Sequence, residues 1–222
     1  MDRPKEVPAQ IWEAIADEDI DEVRRLFREN PQEINGYTYY AGGTYLHYAA
    51  SHPSVAIVKA LVDIGFEINK PGSLDGDVAL TNACAAGHYE VARYLLDHGS
   101  VMDVSLSIRN PLFSCISGYV SHEAPPRETF LTVARLLLDR GIDAGARYTS
   151  KTMVDMDAIA FAWMWGRRDI ARMIAEHLQG EKEAAITRAL AEAETVAVGN
   201  ATSREKFRRE RYPPRRRGSK RA

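Results

Sequence analysis

Apolar and small residues recur at helical spacing along residues 42–65, and this stretch predicts a pair of short helices. A turn and a short first helix are predicted within residues 42–50, where small side chains share one face of the helix. A second helix follows the bend at His52-Pro53 and is ended by Gly65. Its apolar positions are Val55, Val58, Leu61 and Val62. One such hairpin cannot bury its own apolar face, so neighbouring copies must complete the core.

The copies are found by following one leucine and one glycine along the chain. Leu46 and Gly65 are nineteen residues apart (65 − 46), and so are Leu80 and Gly99 (99 − 80), thirty-four residues later (80 − 46). Less regular copies run over residues 110–141 and 159–174, and a degenerate first copy over 11–27. The sequence therefore predicts about five units between residues 10 and 178.

At the start of each first helix the chain resembles the ankyrin-repeat family, whose repeat opens on Thr-Pro-Leu-His. The four corresponding segments are Thr44-Tyr45-Leu46-His47, Val78-Ala79-Leu80-Thr81, Asn110-Pro111-Leu112-Phe113 and Asp157-Ala158-Ile159-Ala160. The resemblance implies an all-α solenoid of helix-turn-helix repeats with short hairpin connections. It also implies that His47 forms hydrogen bonds within and between turns, and that hairpin tips and first helices line a concave groove for partners.

Four segments are predicted along the chain. Residues 1–9 form a disordered lead, 10–178 the repeat array, 179–200 a capping helix, and 201–222 a basic tail that is disordered or partly helical. The capping helix is predicted to end at Gly199-Asn200. Its apolar stripe is Ile186, Ala189, Leu190, Ala193 and Val196.

Aromatic residues mark the candidate groove. Five of the ten tyrosines lie within the twelve positions 37–48, and tyrosine suits binding surfaces because it offers a large contact area at little entropic cost. The alternative, strongest for Tyr37 and Tyr45, is that the rings pack between units. Trp163 is predicted to be buried. The predicted partner contacts are Tyr39, Tyr40, Tyr48, His52, Asn82, Arg109, Phe161 and Trp165, the last two of which the segment 181–198 could instead cover.

The fourth unit carries an insertion over residues 119–128, which contains Pro125-Pro126 and no apolar period. Repeat arrays tolerate such insertions as surface loops, often on a functional face. Two interpretations remain open: a neutral elaboration and a second contact element.

Charge divides the chain into an acidic body and a basic tail. Residues 204–222 hold ten basic and two acidic residues, a net of +8, so the overall charge of −2 leaves about −10 for residues 1–203. The tail could bind nucleic acid or another acidic surface, fold back on the acidic body, or serve only solubility. The arginines predicted to contact a polyanion are Arg208, Arg209, Arg211, Arg215, Arg216 and Arg217.

No residue pattern indicates catalysis, a cofactor or a metal site. None of the six histidines lies at metal-ligand spacing, and no nucleophile elbow or phosphate-binding glycine loop occurs. Cys84 and Cys115 occupy alanine positions of the repeat, which predicts buried, reduced thiols. No apolar run suggests a signal peptide or a membrane span, so a cytoplasmic protein is expected, or a nuclear one in a eukaryote.

The predicted function is therefore non-enzymatic binding of another protein through the groove and the hairpin tips. One alternative is an inhibitor or immunity protein that blocks a toxic enzyme, since an acidic surface would suit a basic enzyme. The other is a protein that binds nucleic acid or an acidic surface through its basic tail.

Overall fold

The computed structural model describes residues 6–38, 43–72, 76–105, 110–118, 127–149, 155–180 and 182–211. Beyond residue 202, Glu205 is the only residue whose side chain is described. The chain divides into two compact units, Met1–Ala144 and Gly145–Ala222. We call them unit 1 and unit 2. The described part is helical, with one isolated β-bridge between Tyr148 and Met156.

Unit 1 consists of four helical hairpins. The first helices pack on one another in one layer and the second helices in another. The helices are α1 (Val7–Ala16), α2 (Ile20–Glu29), α3 (Tyr45–Ala50), α4 (Val55–Ile64), α5 (Ala79–Ala86), α6 (Tyr89–Asp97), α7 (Pro111–Ser117) and α8 (Arg127–Asp139), with a short 3-10 helix at Pro31–Glu33 after α2. The predicted all-α repeat fold is confirmed. Helix α1 begins inside the predicted lead, because Pro8 lies in its first turn, where a missing N–H costs nothing.

The first helices share one pattern of buried residues: an apolar residue followed three and four positions later by small or apolar ones. In α3 the three are Leu46, Ala49 and Ala50, and in α5 they are Leu80, Ala83 and Cys84. Small side chains at these positions allow neighbouring helices to approach closely. The prediction for the cysteines is confirmed, since Cys84 and Cys115 are both buried and free.

The start of α3 is fixed by a buried network around His47. The backbone N–H of Thr44 donates to Nδ1 of His47 at 3.1 Å, and Nε2 of His47 lies 3.2 Å from the carbonyl oxygen of Asp77 in the next connection. The predicted bonds within and between turns are therefore confirmed, with Nδ1 as acceptor and Nε2–H as donor. A Cβ atom on Gly43 would lie 2.7 Å from Cγ of His47, so this ring leaves room only for glycine.

Two asparagines link successive hairpins in the same way. Asn35 donates to the carbonyl of Gly65 at 3.2 Å and accepts from the N–H of Glu67 at 2.8 Å. Asn69, thirty-four residues later (69 − 35), donates to Gly99 and accepts from Val101, both at 2.9 Å. Each asparagine thus satisfies backbone groups at the end of a second helix.

Unit 2 contains one hairpin and a long helix. They are α9 (Ala158–Met164), α10 (Arg168–Gln179) and α11 (Glu183–Arg211). Helix α11 packs on both α9 and α10 and buries Ile186, Ala193 and Ala197, whereas Val196 of the predicted stripe is 38% exposed. None of the described helices is both long and apolar enough to cross a membrane.

Two predictions for unit 2 are wrong. Helix α11 does not end at Gly199-Asn200 but continues to Arg211, into the segment predicted to be a disordered or partly helical tail. Glycine inside a helix costs only about 1 kcal/mol, which the surrounding helix formers outweigh. Trp163 is half-buried rather than buried, and the guanidinium of Arg168 lies 4.8 Å from the centroid of its ring.

Candidate functional site

One face of the first helices in unit 1 collects several of the predicted contacts. Glu13 of α1, Tyr48 of α3 and Asn82 of α5 are equivalent in the repeat, thirty-five and thirty-four residues apart (48 − 13 and 82 − 48). Each lies two positions after the first buried apolar residue of the shared pattern, and none of the three is buried. We call this surface the first-helix face and define it as Trp12, Glu13, Asp17, Tyr48, His52 and Asn82.

A row of half-buried rings forms the middle of the first-helix face. The ring centroids of Trp12 and Tyr48 are 3.8 Å apart at an angle of 61°, and those of Tyr48 and His52 are 4.5 Å apart at 68°. Partial burial raises the pKa of the Tyr48 hydroxyl. Trp12 was not among the predicted contacts, although its register could have found it: it stands thirty-five residues before His47 (47 − 12), beside the position of Tyr48.

Hydrogen bonds between hairpins fix the backbone beneath the rings. Nδ2 of Asn82 donates to the carbonyl of His47 at 3.1 Å and lies 3.4 Å from Oγ of Ser51. Nε2–H of His88 donates to the carbonyl of Ser51 at 3.0 Å, and burial lowers the pKa of this imidazole. Asn82, predicted as a partner contact, thus uses its amide nitrogen to hold α3 in place.

His52, another predicted contact, is oriented by its own helix. Its Nδ1 lies 3.0 Å from the carbonyl oxygen of Tyr48 and donates to it. The ring therefore stands against that of Tyr48 in one orientation. Because the hydrogen bond fixes the side chain before any partner arrives, little rotamer entropy is lost on binding.

Tyr45 and Tyr37, the two tyrosines for which packing between units was the strongest alternative, differ in burial. Tyr45 is 2% exposed and packs edge-on against Trp12 and Phe27, at centroid distances of 5.9 and 5.5 Å. Tyr37 is 52% exposed, with Nζ of Lys70 5.9 Å from its ring centroid. Packing between hairpins thus accounts for Tyr45 and not for Tyr37.

In unit 2 the prediction for Phe161 is wrong. Phe161 is 2% exposed and stacks on Tyr148, with centroids 4.4 Å apart and an interplanar angle of 25°, so it cannot contact a partner from this position. Trp165 is 37% exposed, and its ring centroid lies 6.1 Å from that of Phe161.

Several predicted contacts lie outside the described residues: Tyr39, Tyr40, Arg109, Arg215, Arg216 and Arg217. Arg208, Arg209 and Arg211 belong to α11, but their side chains are not described. Residues 119–126 of the predicted insertion are also outside, whereas Arg127 and Glu128 begin α8.

The second helices bound a different surface, a cleft of about 450 Å³ between α4 and α6. Here charged groups of the chain pair with one another. Nζ of Lys59 lies 5.6 Å from the ring centroid of Tyr94, and Asp97 binds Arg140 at 2.7 Å and Arg93 at 3.8 Å. We call this surface the outer cleft. Within the described ranges, no group of three or more histidines, cysteines or carboxylates could hold a metal ion.

Comparison with known proteins supports the repeat assignment. A family profile described as "Ankyrin repeats" matches in three copies, over residues 11–108 and 46–148, and so spans more than half of the chain. A protein of rice, Oryza sativa subsp. japonica, named "Probable E3 ubiquitin-protein ligase XBOS32", is 37% identical over 87 residues. That match covers 39% of this chain and 17% of the rice protein, so the two share a segment and not a whole architecture.

Proposed function

Because this chain belongs to the ankyrin-repeat family, whose arrays bind other proteins, we propose that it binds a partner protein through the first-helix face of unit 1 and performs no chemistry itself. The observation that carries this proposal is the row of half-buried rings formed by Trp12, Tyr48 and His52. His52 is held by a hydrogen bond and the three rings pack against one another, yet each keeps part of its surface in water.

Such rings have the physical properties of binding hot spots. Tryptophan and tyrosine dominate binding free energies because a large rigid surface is desolvated with little loss of rotamer freedom. Truncating a central hot spot typically costs 2 kcal/mol or more of binding free energy, which is about a thirtyfold loss of affinity. A row of three adjacent rings can therefore supply much of the affinity for a partner.

The test compares Tyr48→Ala with Tyr94→Ala by quantitative affinity capture from cells of the source organism. Tyr94 is the matched control, because it is also a half-buried tyrosine beside a histidine ring but lies in the outer cleft. We expect at least one captured protein to be lost with Tyr48→Ala and retained with Tyr94→Ala. Its direct binding should then be confirmed with both purified proteins.

Nuclease treatment and a salt series during the capture separate this proposal from binding through the basic tail. Contacts to phosphates release counterions, so nucleic-acid binding falls steeply with salt and is lost on nuclease treatment. Capture that survives nuclease and depends on Tyr48 supports the first-helix face. Capture that is lost with nuclease and unaffected by Tyr48→Ala would assign the function to residues 204–222 instead.

A further inference from the structure

We propose that two copies of this chain associate through the exposed side of α11, with the two helices antiparallel and the acidic half of each helix opposite the basic half of the other. The contact belongs to unit 2 and goes beyond the proposed function, because it does not use the first-helix face.

Helix α11 has a packed side and an exposed side. The packed side contacts α9 and α10 and buries Ile186, Ala193 and Ala197. Residues two positions away from this stripe lie about 200° around the helix and therefore on its opposite side. We call that side the outer face of α11. It consists of residues that are all exposed and spaced alternately four and three apart: Ala184, Arg188, Ala191, Thr195, Val198 and Thr202.

The outer face of α11 is largely apolar. Val198 is 59% exposed, more than any other large apolar side chain that the structure describes. The hydroxyls of Thr195 and Thr202 donate to the carbonyls of Ala191 and Val198 in the same helix, at 3.1 and 2.9 Å, so neither needs an acceptor from outside. The last element of a repeat array normally presents a polar face to water. An apolar outer face on α11 instead suits packing against another helix.

The order of charges along α11 makes a second copy of the same helix the matching partner. Residues 183–197 contain three acidic residues and one basic residue, whereas residues 198–211 contain five basic residues and two acidic ones. A parallel pair would place like charges side by side. An antiparallel pair places each acidic half opposite a basic half, and its twofold symmetry makes every such contact twice.

Two carboxylates indicate the register of the pair. Glu192 and Glu194 are exposed, and neither forms an ion pair with a described cation. Lys206 and Arg208 stand fourteen residues later in the same helix (206 − 192 and 208 − 194), which is two seven-residue repeats, so all four positions flank the outer face. With the twofold axis near residue 200, Glu192 lies opposite Lys206 of the second copy, and Glu194 lies opposite Arg208.

Sedimentation velocity of the nuclease-treated full-length protein, from about 1 to 200 µM, tests the association. The mass should rise with concentration from the 24.8 kDa of one chain towards twice that value. Val198→Glu should raise the dissociation constant of the dimer at least about tenfold, because it buries a charge near the centre of the contact. Leu178→Glu is the matched control and should leave the dissociation constant unchanged, since Leu178 is 44% exposed but belongs to α10.

Reversing the charges tests the antiparallel register. Glu192→Lys/Glu194→Lys and Lys206→Glu/Arg208→Glu should each weaken the dimer at least about tenfold, because like charges then face one another. An equimolar mixture of these two double variants should recover the wild-type dissociation constant within about threefold, because each altered group then meets an opposite charge. Circular dichroism should show that every variant keeps the helix content of the wild type.

The other outcomes would overturn the inference. A wild-type protein that stays monomeric over the whole range does not use this face, and a dimer that survives Val198→Glu and both charge reversals uses another surface. Charge-reversed variants that still dimerise alone would exclude the antiparallel register. Tyr48→Ala should leave the dimer intact, so failure of this inference and failure of the proposed function are measured separately.

Discussion

Tyr48 in unit 1 and Phe161 in unit 2 occupy the same position of the repeat but have different surroundings. Each lies two residues after the first residue of the shared buried pattern, Leu46 or Ile159. Tyr48 keeps part of its ring in water, whereas Phe161 is 2% exposed. The same register therefore produces a candidate contact in one unit and a core residue in the other.

The two helices differ in what packs around them. In unit 1 the N–H and the hydroxyl of Thr38 both donate to the carbonyl of Gly43, at 2.8 and 2.9 Å, in the connection before α3. In unit 2 the bridge between Tyr148 and Met156 closes the connection, and the ring of Tyr148 stacks on Phe161. In unit 2, α11 also packs on α9. Periodicity thus predicts where a residue lies on its helix, whereas the neighbouring elements decide whether water reaches it.

The largest expected effect follows directly from this contrast. Phe161→Ala should lower the free energy of unfolding by about 3–5 kcal/mol, because it removes a fully buried ring and leaves a cavity. Tyr48→Ala removes a half-buried ring and should cost about 1 kcal/mol. Urea denaturation followed by circular dichroism measures both. Equal losses for the two variants would contradict the difference in burial.

A smaller effect is expected at Gly43, beneath the cap of α3. Gly43→Ala places a methyl group where the ring of His47 lies, and we expect a loss of about 1–3 kcal/mol from the displaced cap. Gly199→Ala is the matched control, and it should change the stability in the opposite direction. An added Cβ on Gly199 meets no atom within 4 Å, and inside α11 alanine should stabilise by up to about 1 kcal/mol. Thermal unfolding of the two variants should therefore shift in opposite directions.

The sequence predicted most of what depends on periodicity. The helical hairpins, the bonds of His47 and the buried cysteines follow from the spacing of Leu46 and Leu80 and from the family resemblance. The sequence could not predict the burial of Phe161, because Tyr148 reaches it through an irregular connection that no period describes. Trp12 was missed although residues 11–27 were recognised as a degenerate first copy, because no later copy has a tryptophan at the corresponding position.

Equivalent residues with equivalent surroundings should contribute equally to stability, in contrast to Tyr48 and Phe161. Asn35 and Asn69 make the same pair of hydrogen bonds to the ends of α4 and α6. Asn35→Ala and Asn69→Ala should each cost about 1–2 kcal/mol of stability, within about 0.5 kcal/mol of one another, and the costs should add because the two asparagines share no hydrogen-bond partner. Denaturation of both single variants and the double variant would test this, and a twofold difference in cost would contradict it.

The smallest expected effect concerns the residues that directly precede Tyr48 and Phe161, which are His47 in unit 1 and Ala160 in unit 2. Desolvation holds the pKa of His47 below its ordinary value, although the Asp77 carbonyl opposes the shift. The unfolded chain therefore takes up a proton first as the pH falls below about 6.5, and the stability of α3 should decline from there towards lower pH. Protonation would also remove the acceptor for the N–H of Thr44.

Hydrogen exchange at pH 7.5 and pH 5.5, corrected for the intrinsic pH dependence of exchange, tests this in both units at once. Protection of α3 should fall at the lower pH, whereas α9 should change less, because its start is capped by Asp157 through the N–H of Ala160 at 2.8 Å and involves no imidazole. Burial also lowers the pKa of His88, which lies beside α3, so protonation of His88 should reduce the protection of α3 at low pH as well. The variant His88→Gln should therefore retain the part of this loss of protection that is due to His47. Equal loss of protection in α3 and α9 would show that acid acts on the whole fold and not on the cap of α3.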